Sequence, residues 1–210
     1  MEDKDYSNSI FVLYGSQTGN AEGISIDLAG CIKEITSKNV IRLTLNDLIK
    51  KYTNWDDVLK NSFLNLIICS TTGDGDVPDN ANKFYRKIKS RNIERNFLQD
   101  CSFVFLALGD SNYSQFCGGG KKMNKRMKEL GAKEIQPITC VDEVGDMEEE
   151  IEFWKTGRAI KVNINYFNER NASDSRKPIK VIDKRKTLLG IGFLNKEQTN
   201  INPKLVLNAK

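Results

Sequence analysis

Seven residues, Gly15-Ser16-Gln17-Thr18-Gly19-Asn20-Ala21, follow a short apolar run and lead into a stretch with helical spacing. Hydroxyls, an amide and two glycines at a helix start put neutral donors where backbone N–H groups and the helix dipole converge. That is the chemistry of phosphate binding. No Lys or Arg falls between Tyr14 and Asp27, so the cradle suits a terminal monophosphate that is held through a working cycle and not transferred. A helix start capped only for stability needs one Ser or Thr, not the whole string.

Two further polar strings each follow an apolar run: Ser70-Thr71-Thr72-Gly73-Asp74-Gly75-Asp76-Val77-Pro78-Asp79-Asn80 and Leu108-Gly109-Asp110-Ser111-Asn112-Tyr113-Ser114-Gln115-Phe116-Cys117. The second of them brings an aromatic ring. Tyr113 either packs locally or stacks on a planar ligand, and beside a phosphate cradle stacking is the expectation.

Other chemistries are excluded by what is missing. The chain has no histidine, which removes Ser-His-Asp and Cys-His nucleophile systems, imidazole bases and His-containing zinc sites. Its five cysteines, Cys31, Cys69, Cys101, Cys117 and Cys140, are scattered and contain no C-x-x-C, the pattern of reduced core residues in a cytoplasmic protein. Read as a calcium loop, Asp74 at position one puts Asp79 where Gly is required and Tyr85 where Glu is required. Read as a P-loop, Gly118-Gly119-Gly120-Lys121 has Gln115 in place of the first Gly and Lys122 in place of the magnesium-binding hydroxyl. Any chemistry is therefore carried by a cofactor.

The 210 residues hold 32 Lys and Arg against 28 Asp and Glu, a net charge of +4. That excess belongs to the C-terminal part: from Asn168 onward ten basic residues face four acidic ones. Its charges are dispersed and lack interleaved aromatics, so no nucleic-acid arm is expected. The segment 168–210 reads as a linker or an incomplete further element. Nor does any apolar run approach the ~18 residues of a membrane span, and no signal peptide opens the chain. Asp142-Glu143-Val144-Gly145-Asp146-Met147-Glu148-Glu149-Glu150 gathers acids at a loop and first helical turn. With Asp74, Asp76 and Asp79 it predicts a negative rim suited to basic surfaces on redox partners.

The elements that must position these loops alternate. Residues 10–14, 63–69 and 102–108 are continuous apolar runs, as in strands buried on both faces. Residues 40–45 alternate like a strand nearer an edge, and 135–140 supply a fifth strand. Between and after them lie helical patterns over 21–37, 47–59, 80–89, 121–130 and 147–167. Strand and helix repeated five times argue an α/β fold, a doubly wound five-stranded parallel sheet with helices on both faces. Such sheets bind ligands beyond the carboxyl ends of their strands, where these loops lie.

Taken together, the loops resemble the flavodoxin-like FMN domain of the diflavin reductases, over residues 8–167. Gly15-Ser16-Gln17-Thr18-Gly19, Ser70 to Gly75 with Pro78-Asp79-Asn80, and Leu108 to Tyr113 carry the resemblance. Microsomal cytochrome reductases in this family carry Tyr at the place of Thr72. Thr72 and Phe116-Cys117-Gly118-Gly119-Gly120-Lys121 are similar to the methionine synthase reductases. The resemblance implies that Ser16, Gln17, Thr18, Gly19, Asn20 and Ala21 hold the FMN phosphate. It implies that Ser70, Thr71, Thr72, Gly73, Asp74 and Gly75 line the ring and ribityl chain, and that Tyr113 stacks on the isoalloxazine. Leu108, Gly109, Asp110, Phe116 and Cys117 would lie in the same binding loop, with Asp142 near the ring edge.

No catalytic side chain and no metal are implied. FAD and NADPH would sit on a missing or separate module, since no dinucleotide-binding glycine motif occurs here. The implied function is single-electron transfer from that module to a redox acceptor, cobalamin-dependent methionine synthase. A haem or iron–sulfur acceptor, and a flavin-free adaptor of the same fold, remain alternatives.

Overall fold

The computed structural model describes residues 5–155. The expected end of the last helix near Phe167 and the basic segment 168–210 lie outside the described residues. Twelve elements follow in order among those described: β1 (Ser9–Gly15), α1 (Asn20–Ile35), β2 (Asn39–Thr44), α2 (Leu45–Lys51), α3 (Trp55–Asn61), β3 (Leu64–Cys69), α4 (Asp79–Lys89), β4 (Ser102–Gly109), α5 (Gly118–Glu129), β5 (Lys133–Glu134), β6 (Thr139–Asp142) and α6 (Met147–Lys155).

All strand pairings are parallel, in the order β2-β1-β3-β4-β5, with β6 also on β4. The continuous apolar runs become the central strands, and their two-residue period divides the core. Phe11, Leu13, Ile67, Phe103 and Phe105 join one cluster with residues of α2, α3, α4 and α5. Ile10, Val12, Leu66, Ile68, Val104 and Leu106 join a second with Leu28 and Ile32 of α1 and with Ile151 and Trp154 of α6. Two covered faces demand apolar residues at nearly every position; the exception inside β3 is the buried Asn65, whose Nδ2 donates to the Leu59 and Ser102 carbonyls at 2.9 and 3.1 Å.

Three expectations shift. The helix expected over 47–59 is two helices: Tyr52 donates its N–H to the Leu48 carbonyl and ends α2 in an extended conformation, and the buried Trp55 opens α3. Of the strand expected over 135–140 only Thr139 and Cys140 are strand, as the start of β6; the two-residue β5 precedes it, and β5 and β6 pair with opposite ends of β4. Pro137 lies in the gap and has no N–H for the ladder.

Finally, α5 starts at Gly118, three residues before the expected Lys121. A Cβ on Gly119 would stand 2.6 Å from the Asp76 carbonyl oxygen, and one on Gly120 2.5 Å from the Ala107 Cβ. The glycines, poor helix formers by propensity, are there because only their bare backbone lets α5 sit flush against β4 and the loop after β3.

Candidate functional site

The strand order reverses between β1 and β3: the chain passes from β1 to β2 on one side and from β3 to β4 on the other. Crevices open at such switch points, outside the carboxyl ends of the strands. Four loops meet there, after β1, β3, β4 and β6.

The first loop runs from Gly15 to the start of α1. Gly19 is its N-cap, at φ 106°, a left-handed conformation that glycine adopts without a Cβ penalty. The Gly19 N–H donates to Ser16 Oγ at 3.1 Å, and the Ser16 N–H donates to Asn80 Oδ1 at 2.8 Å. Among the described residues no hydrogen bond takes up the N–H groups of Thr18, Asn20 or Ala21. The last two are first-turn donors that a helix leaves unsatisfied. Gln17, Thr18 and Asn20 are exposed, while the Ala21 side chain is buried in the core. Arg42 of β2 is engaged elsewhere, 3.7 Å from the Glu22 carboxylate and bonded to Ser25 Oγ at 3.2 Å. The cradle keeps its neutral character.

A tight hairpin forms the second loop. Thr72 and Asp76 exchange both backbone hydrogen bonds, at 3.0 and 2.8 Å, around Gly73, Asp74 and Gly75. Ser70 anchors it: its N–H donates to the Gly15 carbonyl at 2.9 Å. The Thr71 hydroxyl is buried and has no partner. An unsatisfied buried hydroxyl costs about 1–3 kcal/mol, and here it sits between the anchor and the hairpin, where a bound ligand would satisfy it.

The third loop divides by depth. Leu108 and Gly109 are buried, and the Cys117 side chain is fully buried, so these residues pack the wall. Phe116 is partly buried beneath Lys121, whose Nζ donates to the Phe116 carbonyl at 2.7 Å. Asp110 folds the turn through Oδ1, which accepts from the Asn112 N–H at 2.8 Å. Tyr113 at its tip is 66% exposed, the most exposed of the large apolar side chains among the described residues.

Asp142 ends β6 and ties the third loop to the fourth. Its Oδ1 accepts from the N–H groups of Ser111 at 3.0 Å and Val144 at 3.1 Å. Hydrogen bonding from Ser111, through side chain and backbone, and from the Val144 N–H holds this carboxyl below the usual carboxylate range. Glu143 donates its N–H to the Gly109 carbonyl at 2.8 Å, and its side chain accepts from Asn20 Nδ2 at 3.4 Å. The four loops thus form a closed ring. Around it Asp74, Asp76, Asp79, Glu143, Asp146, Glu148, Glu149 and Glu150 are exposed, making the expected negative rim.

Several residues that build the ring are not among the expected binding residues. Asn80 fixes the first loop from 64 positions away. Asn46 bonds the Asp79 carbonyl and the Phe84 N–H. Lys122 donates from Nζ to the Gly75 carbonyl at 2.8 Å. Pro78-Asp79-Asn80 was visible as a motif; nothing local marked Asn46 or Lys122.

Residues 12–154 match the family model described as Flavodoxin. Over 139 residues the chain is 40% identical to the sulfite reductase (NADPH) flavoprotein alpha-component of Bacillus subtilis, covering 64% of this chain and 21% of that protein. Methionine synthase reductase of Bos taurus is 32% identical over 166 residues, 78% of this chain and 23% of that protein. A shorter stretch of 63 residues is 79% identical to tRNA pseudouridine synthase B of Prochlorococcus marinus, 30% of this chain and 20% of that protein. The chain spans about a fifth of the length of these curated relatives. Among solved structures, the oxidised flavodoxin 2 of Bacillus cereus superposes with a TM-score of 0.58 at 22% identity, covering 77% of this chain and 99% of that one.

Proposed function

The chain belongs to the flavodoxin family, and from that premise we propose that it is the FMN-carrying electron-transfer domain of a diflavin reductase system. The observation that carries this reading is the pairing of open N–H donors at the start of α1 with an exposed Tyr113 across one ring of loops. FMN, when bound, supplies the reversible electron acceptor. The chain's own residues orient it and exclude water.

Ser16, Gln17, Thr18, Gly19, Asn20 and Ala21 hold the phosphate through neutral donors and the helix dipole. The Thr71 hydroxyl, with Ser70, Thr72, Gly73, Asp74 and Gly75, lines the ring and ribityl chain. Tyr113 would stack on the ring and Asp142 would stand near its edge, while Asp142 fixes the loop that carries Tyr113 through the Ser111 N–H. Leu108, Gly109, Asp110, Phe116 and Cys117 set the height of that loop. The exposed carboxylates of the rim orient a basic partner surface and speed its encounter.

Electrons arrive from an FAD/NADPH module and leave to cobalamin-dependent methionine synthase. The likeness to methionine synthase reductase over 78% of the chain favours that acceptor, and the higher identity to the sulfite reductase flavoprotein names its competitor. The pseudouridine synthase match covers 30% of the chain, against the span 12–154 that the flavodoxin model matches.

The first test is an FMN titration of the purified chain. Quenched flavin fluorescence and a retained absorption band at about 450 nm are expected. A colourless protein that leaves added FMN unquenched would leave only the adaptor reading. With the reduced domain in hand, electron transfer to methionine synthase should exceed that to a haem or iron–sulfur sulfite reductase at least tenfold, and the reverse order replaces the acceptor. Raising ionic strength should slow the favoured transfer, and an unchanged rate removes the rim from the mechanism.

A further inference from the structure

Cys117 and Cys140 lie 23 residues apart in the chain, and the fold sets them side by side. Cys117 closes the third loop as the N-cap of α5. It is one of two non-glycine residues with positive φ among those described, at 55°. Its fully buried Sγ points at the sheet, 3.5 Å from the Ala107 carbonyl oxygen and 3.7 Å from that of Val141. Cys140 is the register partner of Ala107 across the β4–β6 ladder and is bonded to Val141. Its side chain packs against the core cluster that contains Cys117, and the two carbonyls that the Cys117 Sγ reaches belong to the residue across the ladder from Cys140 and to the residue next to it. The third loop and β6 are thus joined by an adjacent pair of thiols.

The pair is chemically unequal. Cys140 is partly exposed, and the hydrogen bond from Cys117, with help from Lys121, lowers its thiol to about 7. A lowered, partly exposed thiol is the more reactive of the two toward an oxidant. Cys117 is shifted upward by the same contact and by burial, and keeps its proton. One thiol is thus equipped to attack and the other to resolve. Cys69 and Cys101 differ from both: each is buried, with its thiol pushed up to about 12 by desolvation. Cys31, partly exposed on α1, is remote from this pair in the fold, on the opposite face of the sheet.

We propose that Cys117 and Cys140 form an oxidative modification site that closes to an intramolecular disulfide with hydrogen peroxide as the oxidant. The Cys140 thiolate attacks one peroxide oxygen; the O–O bond breaks, and hydroxide leaves and is protonated to water. Cys140 is then a sulfenic acid. The Cys117 sulfur attacks the Cys140 sulfur, the S–O bond breaks as the S–S bond forms, and the oxygen departs as water with the Cys117 proton. Two thiols lose two electrons and two protons, and one peroxide becomes two waters. The bond ties the loop carrying Tyr113 to the strand that ends in Asp142. The site itself requires no cofactor, so it stands or falls separately from the electron-transfer reading.

The test uses the full chain, reduced and desalted, then exposed to a small molar excess of hydrogen peroxide. Remaining thiols are alkylated under denaturing conditions and peptides are mapped by mass spectrometry. Two of the five thiols should disappear together, in a Cys117–Cys140 cross-linked peptide that dithiothreitol releases. Cys140→Ser should abolish the loss of both, whereas Cys31→Ser should leave it unchanged. Cys140 found as sulfinic or sulfonic acid with Cys117 still alkylatable overturns the proposal. So does prior loss of Cys31. Because the peptide map is read on the unaltered chain, the outcome does not depend on any variant folding.

Discussion

Under the mouth of the site, where Gly118, Gly119 and Gly120 seat α5 against β4 and the hairpin, there is no room for a methyl group. On the same ring of loops, Gln17, Thr18, Asn20 and Tyr113 stand open to solvent. Both regions belong to the same ring of loops, yet different physics governs them. The floor is close-packed, and a packed interior resists added volume. The rim is polar and exposed, and the backbone N–H groups of Thr18 and Asn20 have no partner among the described residues. Substitutions in the floor should therefore read out as stability, and substitutions in the rim as ligand affinity.

The sharpest way to break this division is Gly120→Val. Overpacking against Ala107 should cost about 1–3 kcal/mol, seen as a lower urea midpoint with FMN absent. An unchanged midpoint would show that α5 shifts freely, and the floor would lose its meaning. Asn80→Ala tests the seam between the regions, since it frees the partly buried Ser16 N–H. A loss of about 1–2 kcal/mol in stability should accompany weaker FMN binding, both measured on one preparation.

Tyr113→Ala is the pure rim case. FMN affinity should fall by the about 0.5–1.5 kcal/mol of an aromatic contact, roughly two- to tenfold, while the apo midpoint stays fixed. A shift in that midpoint instead would return Tyr113 to a packing role. The smallest effect concerns pH. Asp142 has its carboxyl depressed in the folded state, so its contribution is present above the unfolded value, near 3.8, and is lost as pH falls through the lower folded value. Asp142→Asn keeps an acceptor and loses the charge. Melting temperatures of the two proteins should differ slightly at neutral pH and converge as pH falls from about 3.8 through the lower folded value. A difference that persists into that acid range would assign it to something other than this carboxylate.

How much of this was legible in the sequence follows the range of each interaction. The runs at 10–14, 63–69 and 102–108 announced buried strands because burial on both faces leaves few polar positions, Asn65 being the one inside β3. The loops were legible because the parallel architecture sends each of them to one edge. The early start of α5 was hidden, since glycine argues against a helix locally and the contacts that require it, with Asp76 and Ala107, are tertiary. Lys122 stood out only as a failed P-loop residue; its bond to the Gly75 carbonyl spans 47 positions. The unpartnered Thr71 hydroxyl sat in a string already marked as polar, but its burial belongs to the assembled ring.

The break at Pro137 has a bearing beyond the site. An edge strand is a row of unpaired N–H and C=O groups, ready to template another chain. Here the fifth position of the sheet is split into pieces of two and four residues. Neither offers a register long enough to recruit a foreign strand, so the division that shortens this ladder also guards that side of the sheet against edge-to-edge aggregation.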